Sequence, residues 1–295
     1  MSKKILLTGG SGLLGQYLNI ETAKRNEILT LYNNNIGNCD EFKCTKADIT
    51  NFNLVEEIFS TFKPNVVIHT AAVTNPIPLP RQNPKDVYNV NVNAIKNIAD
   101  LCNQFDTKLI YISTDLVYAG YRGSMLKEDA KLIPVSLYAE TKLMGEMKVK
   151  ETLENYLILR TALLYGFGLN HSRCHFHKMN EELKNDKPVK LFVDQFRTPI
   201  YSQDAVEIIT KIAHMDIRNE TINLGGVERV SRYEMGEILC SVAGYDKSLL
   251  QKISLDDIPE LPKVEDVSLN TDKLQSLGFK QKSIEVSISK IIRVN

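Results

Sequence analysis

Along the first half of the chain, short apolar runs alternate with stretches whose apolar residues recur every three or four positions. The short runs read as strands buried on both faces: Lys4 to Leu7, Glu27 to Tyr32, Phe42 to Ala47, Val66 to His69, Lys108 to Ser113 and Tyr156 to Arg160. The periodic stretches read as helices. Leu13 to Lys24 places Leu14, Tyr17, Leu18 and Thr22 on one face, and Asn53 to Phe62 does the same with Leu54, Ile58 and Phe62 before Pro64 stops it. Asp86 to Phe105 and Leu137 to Leu153 complete the series. Strands alternating with helices pair in parallel through right-handed crossovers, so helices cover both faces of one sheet. The expected class is α/β, a Rossmann-like doubly wound parallel sheet.

After Gly166 the rhythm loosens. Helices are expected over His171 to Asn185, Ser202 to His214, Ser231 to Ala243 and Thr271 to Leu277, and strands over Val189 to Val193 and Thr221 to Leu224. Ser231 with Glu234 three residues later has the form of a capping box, and Pro259 and Pro262 mark a loop. This portion reads as a smaller C-terminal α/β substrate lobe over residues 167–295. The dinucleotide-binding part then takes residues 1–166 and parts of 195–225.

Charge narrows the partners. Lys plus Arg and Asp plus Glu both number 36 in 295 residues, so there is no basic field for nucleic acid and no acidic tail. The opening MSKKILLTGG reads as a buried strand rather than a signal peptide, and no apolar run approaches the roughly 18 residues of a membrane span. Cys39, Cys44, Cys102, Cys174 and Cys240 form no CxxC pair, which fits reduced thiols in a cytoplasm.

Gly9, Gly12 and Gly15 stand between the first strand and the first helix with GxxGxxG spacing. Glycine there permits a tight turn, close approach to a pyrophosphate and helix–strand contact, and the helix start offers free N–H groups to phosphate. A purely structural turn is the alternative. Asp48 follows the third strand, where a carboxylate can accept from an adenine amino group beside Ile49, or can simply cap the next helix. At the end of the second strand Tyr32, Asn33, Asn34 and Asn35 offer no acid for a ribose 2′-hydroxyl and no arginine for a 2′-phosphate. The missing acid favours NADP(H) over NAD(H).

Tyr138 and Lys142 stand four apart at the start of a helix, on one face of it. A neighbouring ammonium favours phenolate, so the pair is suited to proton exchange, and the ammonium can also hold a ribose. Ser113 and Thr114 end the preceding strand with hydroxyls fit to bind a carbonyl oxygen. A core tyrosine with a solvated lysine is the plainer alternative.

TGGSGLLG (Thr8 to Gly15), YISTDLVYAG (Tyr111 to Gly120) and YAETKLMGE (Tyr138 to Glu146) resemble the extended short-chain dehydrogenase/reductase family, in particular its dTDP-4-dehydrorhamnose reductase branch. LRTALLYG (Leu159 to Gly166), VDQFRTPIYSQDAV (Val193 to Val206), LGGVERVSRYEMGEIL (Leu224 to Leu239) and SLNTDKL (Ser268 to Leu274) extend the likeness over nearly the whole chain. The resemblance implies an NAD(P)H-dependent oxidoreductase acting on the keto group of a nucleotide-activated 4-keto-deoxy sugar, and a homodimer. It makes Tyr138 the general acid, has Lys142 tune it and bind ribose, and has Thr114 orient the carbonyl. Gly9, Ser11, Gly12, Leu13 and Leu14 would cradle pyrophosphate. Asn33, Asp48 and Ile49 would meet the adenosine end, Ala71, Ala72 and Thr74 would line the cofactor, and Asn91 would lie near the site. Backbone around Thr161 to Leu163 would face the carboxamide.

Two departures fall in segments that would see the sugar. IPLPRQNP (Ile77 to Pro84), with Arg81, replaces a segment with an acidic residue in the family, and Leu261, Pro262 and Lys263 replace an Arg-Pro. Asp115 is followed by Leu116, so the Asp-Glu pair of dehydratases is absent. The rival functions are an epimerase or dehydratase with retained NAD, and a non-catalytic subunit like the regulatory subunit of methionine adenosyltransferase. Asp115, Arg173 and Arg197 are the candidate substrate contacts. HSRCHFHK, with His171, Cys174, His175 and His177, matches no standard zinc spacing, and no metal is assigned. His69 reads as a satisfied core residue.

Overall fold

The computed structural model describes residues 2–74, 83–121 and 123–294. The first half runs β1 (Lys4–Thr8), α1 (Leu13–Ala23), β2 (Glu27–Tyr32), β3 (Cys44–Lys46), α2 (Phe52–Phe62), β4 (Val66–His69), α3 (Pro84–Tyr88), α4 (Ala94–Gln104), β5 (Lys108–Thr114), α5 (Leu137–Thr152) and β6 (Tyr156–Thr161). Then come β7 (Leu164–Tyr165), α6 (His175–Lys184), β8 (Val189–Phe192), β9 (Phe196–Arg197), β10 (Ile200–Tyr201), α7 (Ser202–Ile212) and β11 (Glu220–Leu224). The chain ends with β12 (Val230–Ser231), α8 (Arg232–Ala243), β13 (Leu250–Ile253), α9 (Asp272–Ser276) and α10 (Ile284–Val294).

Among the described residues, seven strands form one parallel sheet in the order β11-β6-β5-β4-β1-β2-β3. The two-residue period of a strand decides which core each side chain enters. Ile5 and Leu7 join Leu14 and Leu18 of α1 and Val206 and Ile209 of α7 on one face, while Leu6 joins Phe59 of α2, Ile98 of α4 and Val149 of α5 on the other. The sheet is therefore doubly wound, as the alternation predicts. A further core gathers Phe176 and Met179 of α6, Leu191 of β8, Leu239 of α8 and Ile288 of α10.

Three local expectations change. Asp86 to Phe105 is not one uniform helix: α3 and α4 are joined by a π turn at Asn89–Asn93. The wider turn lets the Asn91 amide reach backbone outside the helix. The helix expected from His171 starts at His175, because Leu169, Asn170 and Ser172 are held in a loop by contacts with α1 and the glycine turn. The N-cap of α2 is Asn51, whose side chain accepts from Leu54 N, so Asp48 is free of that duty. β8 falls where a strand over Val189 to Val193 is expected; β7, β9, β10, β12 and β13 are too short to be read from sequence, and α10 is not among the expected elements although Ile284, Ile288 and Ile291 recur at helical spacing.

Candidate active site

Chain order reverses between β1 and β4, and in an open sheet a crevice opens at that point beyond the strand ends. A cleft of about 910 Å³ lies there. Gly9, Ser11, Gly12, Leu13 and Leu14 form its floor after β1, and Ala71, Ala72 and Thr74 line it after β4. Asn33, Asp48 and Ile49 line the end beyond β2 and β3. The Asp48 carboxylate turns onto Thr50, accepting from its N–H at 2.9 Å and its hydroxyl at 2.8 Å, and its exposed face borders the cleft. At this end Tyr32, Asn33, Asn34 and Asn35 present neither an acid nor an arginine.

The glycine turn has the shape a dinucleotide needs. Gly9 lies at φ 71, and a Cβ there would come within 2.6 Å of Ala71 N. At Gly15 a Cβ would meet Gly9 O at 2.1 Å, so only glycine lets α1 start this close to the turn. Gly12 caps α1 without a side-chain hydrogen bond, and the first turn of α1 carries no acid. The helix start thus presents free N–H groups and a partial positive charge to the cleft. These residues fit the diphosphate of a dinucleotide cofactor.

A loop from the second half of the chain is tied down over this turn. Gln16 Nε2 donates to Ser11 O at 3.1 Å, Leu169 O at 3.0 Å and Ser172 Oγ at 2.9 Å, while its Oε1 accepts from Asn170 Nδ2 at 2.6 Å. Tyr17 Oη donates to Phe167 O at 2.6 Å. Sequence inspection missed Gln16, because its partners lie more than 150 positions away.

Thr114 ends β5, and Tyr138 and Lys142 lie on the first turns of α5, which Ser136 caps through Ala139 N at 3.2 Å. All three line the same cleft. Burial pushes the Tyr138 phenol up to about 12, with the Thr114 hydroxyl pulling down and Asp115 pushing further up. Burial also pulls Lys142 down to about 7, against Glu146. The expectation that the ammonium makes the phenol acidic is therefore not met in this state: Lys142 Nζ lies over the Tyr111 ring, 3.9 Å from its centroid. Ser113 is also withdrawn from carbonyl binding, since its hydroxyl donates to Glu146 Oε1 at 2.6 Å. Thr114 is left as the strand-end hydroxyl next to Tyr138.

Asn91 stands behind the cleft wall, 1% exposed. Its amide accepts from Val73 N at 2.9 Å and donates to Val73 O at 3.1 Å and Thr141 Oγ1 at 3.0 Å. Through these bonds it holds the segment after β4 in place. His69 is buried too, paired with Thr8 Oγ1 at 2.8 Å, and burial lowers it to about 3.

On the far side of Thr114 stand Asp115 of the β5 end, Arg197 of β9 and Arg232 of α8. Asp115 Oδ2 is 3.5 Å from Arg197 Nε. Arg232, missed from sequence, is placed there by the capping box that starts α8: Ser231 accepts from Glu234 N at 3.0 Å and Glu234 from Ser231 N at 2.6 Å. Its local signal was that box, read only as a helix start. Arg173 borders the cleft, yet its guanidinium is committed to Glu181 at 2.7 Å and is half exposed. Residues 77–82 of the proline-rich stretch, Arg81 among them, lie outside the described residues, and its last two, Asn83 and Pro84, open α3. Lys263 borders a different depression, with Asp194 and Asp256. The His-Cys stretch is split: Cys174 caps α6, His175 borders the cleft and His177 Nδ1 accepts from Gly168 N at 3.1 Å. Among the described residues no three metal-ligating side chains cluster, and no helix is long and apolar enough to cross a membrane.

Known proteins resemble this chain in sequence and fold. The chain is 29% identical to dTDP-4-dehydrorhamnose reductase of Aggregatibacter actinomycetemcomitans over 87% of its length and 82% of that protein. It is 26% identical to the methionine adenosyltransferase 2 subunit beta of Xenopus laevis over 96% of its length and 84% of that protein. Its fold superposes with a TM-score of 0.86 on a dTDP-4-dehydrorhamnose reductase of Bacillus anthracis solved in complex with NADP, 24% identical and covering all of both chains. The family described as RmlD substrate binding domain matches residues 3–294, and this chain belongs to it.

Proposed function

We propose that this protein is an NAD(P)H-dependent reductase of a nucleotide-activated 4-keto-deoxy sugar. The observation that carries the proposal is the meeting of Thr114, Tyr138 and Lys142 in the cleft whose floor is the glycine turn and the free start of α1. Similarity to the Aggregatibacter reductase supports the substrate class. The acid-free end of β2 and the NADP held by the Bacillus relative support NADP(H) as the cofactor.

A bound reduced nicotinamide supplies the hydride. Thr114 orients the carbonyl oxygen, and Tyr138 gives that oxygen its proton as alkoxide character develops. A phenol held near 12 suits this direction of reaction. It stays protonated in the resting state, and an alkoxide is basic enough to take its proton. Lys142, 2% exposed one turn along, provides a cation for ribose hydroxyls. The free amides at the start of α1 would hold the diphosphate of the cofactor.

The test is a panel of 4-keto-sugar nucleotides incubated with NADPH or NADH, followed by loss of reduced-nicotinamide absorbance. Turnover of at least one supports the proposal. No turnover, together with copurification of a methionine adenosyltransferase catalytic subunit, would transfer the assignment to the regulatory class of the Xenopus relative. A cytoplasmic homodimer is part of the same proposal, and light scattering reads its assembly state.

A further inference from the structure

The segment between β7 and α6 is fastened on two sides. On the α1 side, Gln16 is fully buried and divides its amide among Ser11 O, Leu169 O and Ser172 Oγ, and Ser172 Oγ itself donates to Ser11 O at 3.3 Å. On the α6 side, Gly168 N donates to His177 Nδ1 at 3.1 Å and Cys174 Sγ to Gly166 O at 3.1 Å. Between these ties the segment folds on itself: Ser172 N donates to Leu169 O at 2.9 Å, and a Cβ at Gly168 would collide with Ser172 O. It is therefore one body with the start of α6. Its last residues, Arg173 and Cys174, line the cleft together with His175.

The link to the cofactor side is Ser11. Its carbonyl shares a peptide group with the Gly12 N–H, and Gly12 N donates to Gly9 O at 3.0 Å, which closes the glycine turn. A peptide group is planar and trans, so its C=O and N–H swing together. Whatever holds the turn closed also holds Ser11 O where Gln16 and Ser172 need it, and the docked segment holds the turn in return. Gln16 itself stands outside the cleft lining. Resting on the reductase reading above, we propose that Gln16 is a positioning residue that makes the two halves of the site bind cooperatively. A cofactor diphosphate on the glycine turn fixes the segment that carries Arg173 to His175. A substrate nucleotide against that wall tightens cofactor binding by the same factor, because coupling between two binding sites is reciprocal.

The sign of the effect separates this route from direct contact. Both ligands are anions, and two anions in one cleft repel each other. With the nicotinamide left out, mutual reinforcement has to pass through the protein.

The experiment measures, by calorimetry, the Kd of dTDP, UDP and GDP with and without saturating 2′-phospho-ADP-ribose. That probe fills the diphosphate site and lacks the nicotinamide that would meet a substrate. For the nucleoside diphosphate that binds most tightly, wild type should show affinity about tenfold higher with the probe present, a usual size of coupling between sites. In Gln16→Met, which keeps the length of the side chain without its hydrogen bonds, the ratio should fall below about threefold. A purely structural role would weaken both affinities and leave the ratio alone. Where Gln16→Met fails to bind the probe, Ser172→Ala takes its place; it leaves the Gln16 contacts to Ser11 and Leu169 intact and should at least roughly halve the ratio. A wild-type ratio near one, an unchanged ratio in the variant that binds the probe, or no binding by any of the nucleoside diphosphates overturns the inference and leaves the reductase reading to its turnover panel. Turnover of no 4-keto sugar nucleotide beside an intact, Gln16-dependent ratio overturns the reductase reading alone.

Discussion

The Lys142 ammonium rests 3.9 Å from the centroid of the Tyr111 ring, and the Tyr111 hydroxyl donates to the Lys142 carbonyl at 3.3 Å. Two residues further along β5, Ser113 donates to Glu146, one turn after Lys142 on α5. Two residues of strand advance about 6.6 Å and four of helix about 6 Å, so the pairs lie in step. Gly145 makes the approach possible, since a Cβ there would stand 2.4 Å from the Tyr111 hydroxyl. The strand under α5 thus places the lysine as firmly as the helix does.

Replacement of the ring should separate its face from its hydroxyl. Tyr111→Phe keeps the face and should hold kcat/KM within about threefold. Tyr111→Leu removes a desolvated cation–π contact of about 2 kcal/mol, and kcat/KM should fall roughly 30-fold. Equal effects of the two substitutions would show that the ring does not position Lys142.

The depressed Lys142 makes a prediction about stability and pH. Burial brings it to about 7, whereas an unfolded lysine titrates near 10.4. Between those values the unfolded chain binds more protons than the native one, so this group's contribution to stability rises with pH from about 7 to about 10. Below pH 7 both states are charged and the penalty of burying the charge is present in full. Urea unfolding at pH 7 and pH 9 should show a gain in wild type that is smaller in Lys142→Met, and identical gains would contradict the assignment.

Glu146 holds a wider buried network. It pairs with Arg160 at 2.8 Å, each side chain at most 2% exposed, and Arg160 Nη1 also donates to the Tyr118 hydroxyl at 2.9 Å. Glu146→Ala strands a buried guanidinium and should cost about 3–5 kcal/mol in chemical denaturation. The double variant Glu146→Ala/Arg160→Met should recover part of that loss, because no charge is then left unpaired. A double variant less stable than Glu146→Ala would show that packing, not charge, dominates.

Gln16 fastens residues 169–172 to the glycine turn by four hydrogen bonds. Gln16→Ala should raise the NADPH dissociation rate about tenfold in stopped-flow displacement, since a lost net hydrogen bond is about 1 kcal/mol and several act together. An unchanged rate would mean that the loop does not cover the bound cofactor.

What was legible in the sequence was local. Gly9, Gly12 and Gly15 sit within seven residues, Tyr138 and Lys142 within five, and the buried strands announce themselves as apolar runs, so the sheet and the candidate site residues could be read directly. The rest depends on contacts between distant positions. Arg232 reaches the cleft because α8 packs where it does; the capping box beside it marks a helix start in the sequence but not a place in the site. Asn91 lies behind the cleft wall, and its amide's grip on Val73 depends on a π turn that helical periodicity does not encode. The Tyr138–Lys142 pair was recognised from spacing, while the partner of the ammonium was set by the strand beneath it.

The measurement closest to the central claim is turnover of Tyr138→Phe on a 4-keto-sugar nucleotide that wild type reduces, with NADPH affinity measured on the same preparation. Loss of the phenolic proton should lower kcat by roughly 10²- to 10⁴-fold with NADPH affinity within about twofold of wild type. Turnover at the wild-type rate with NADPH still bound would contradict Tyr138 as the proton donor and the site built around it.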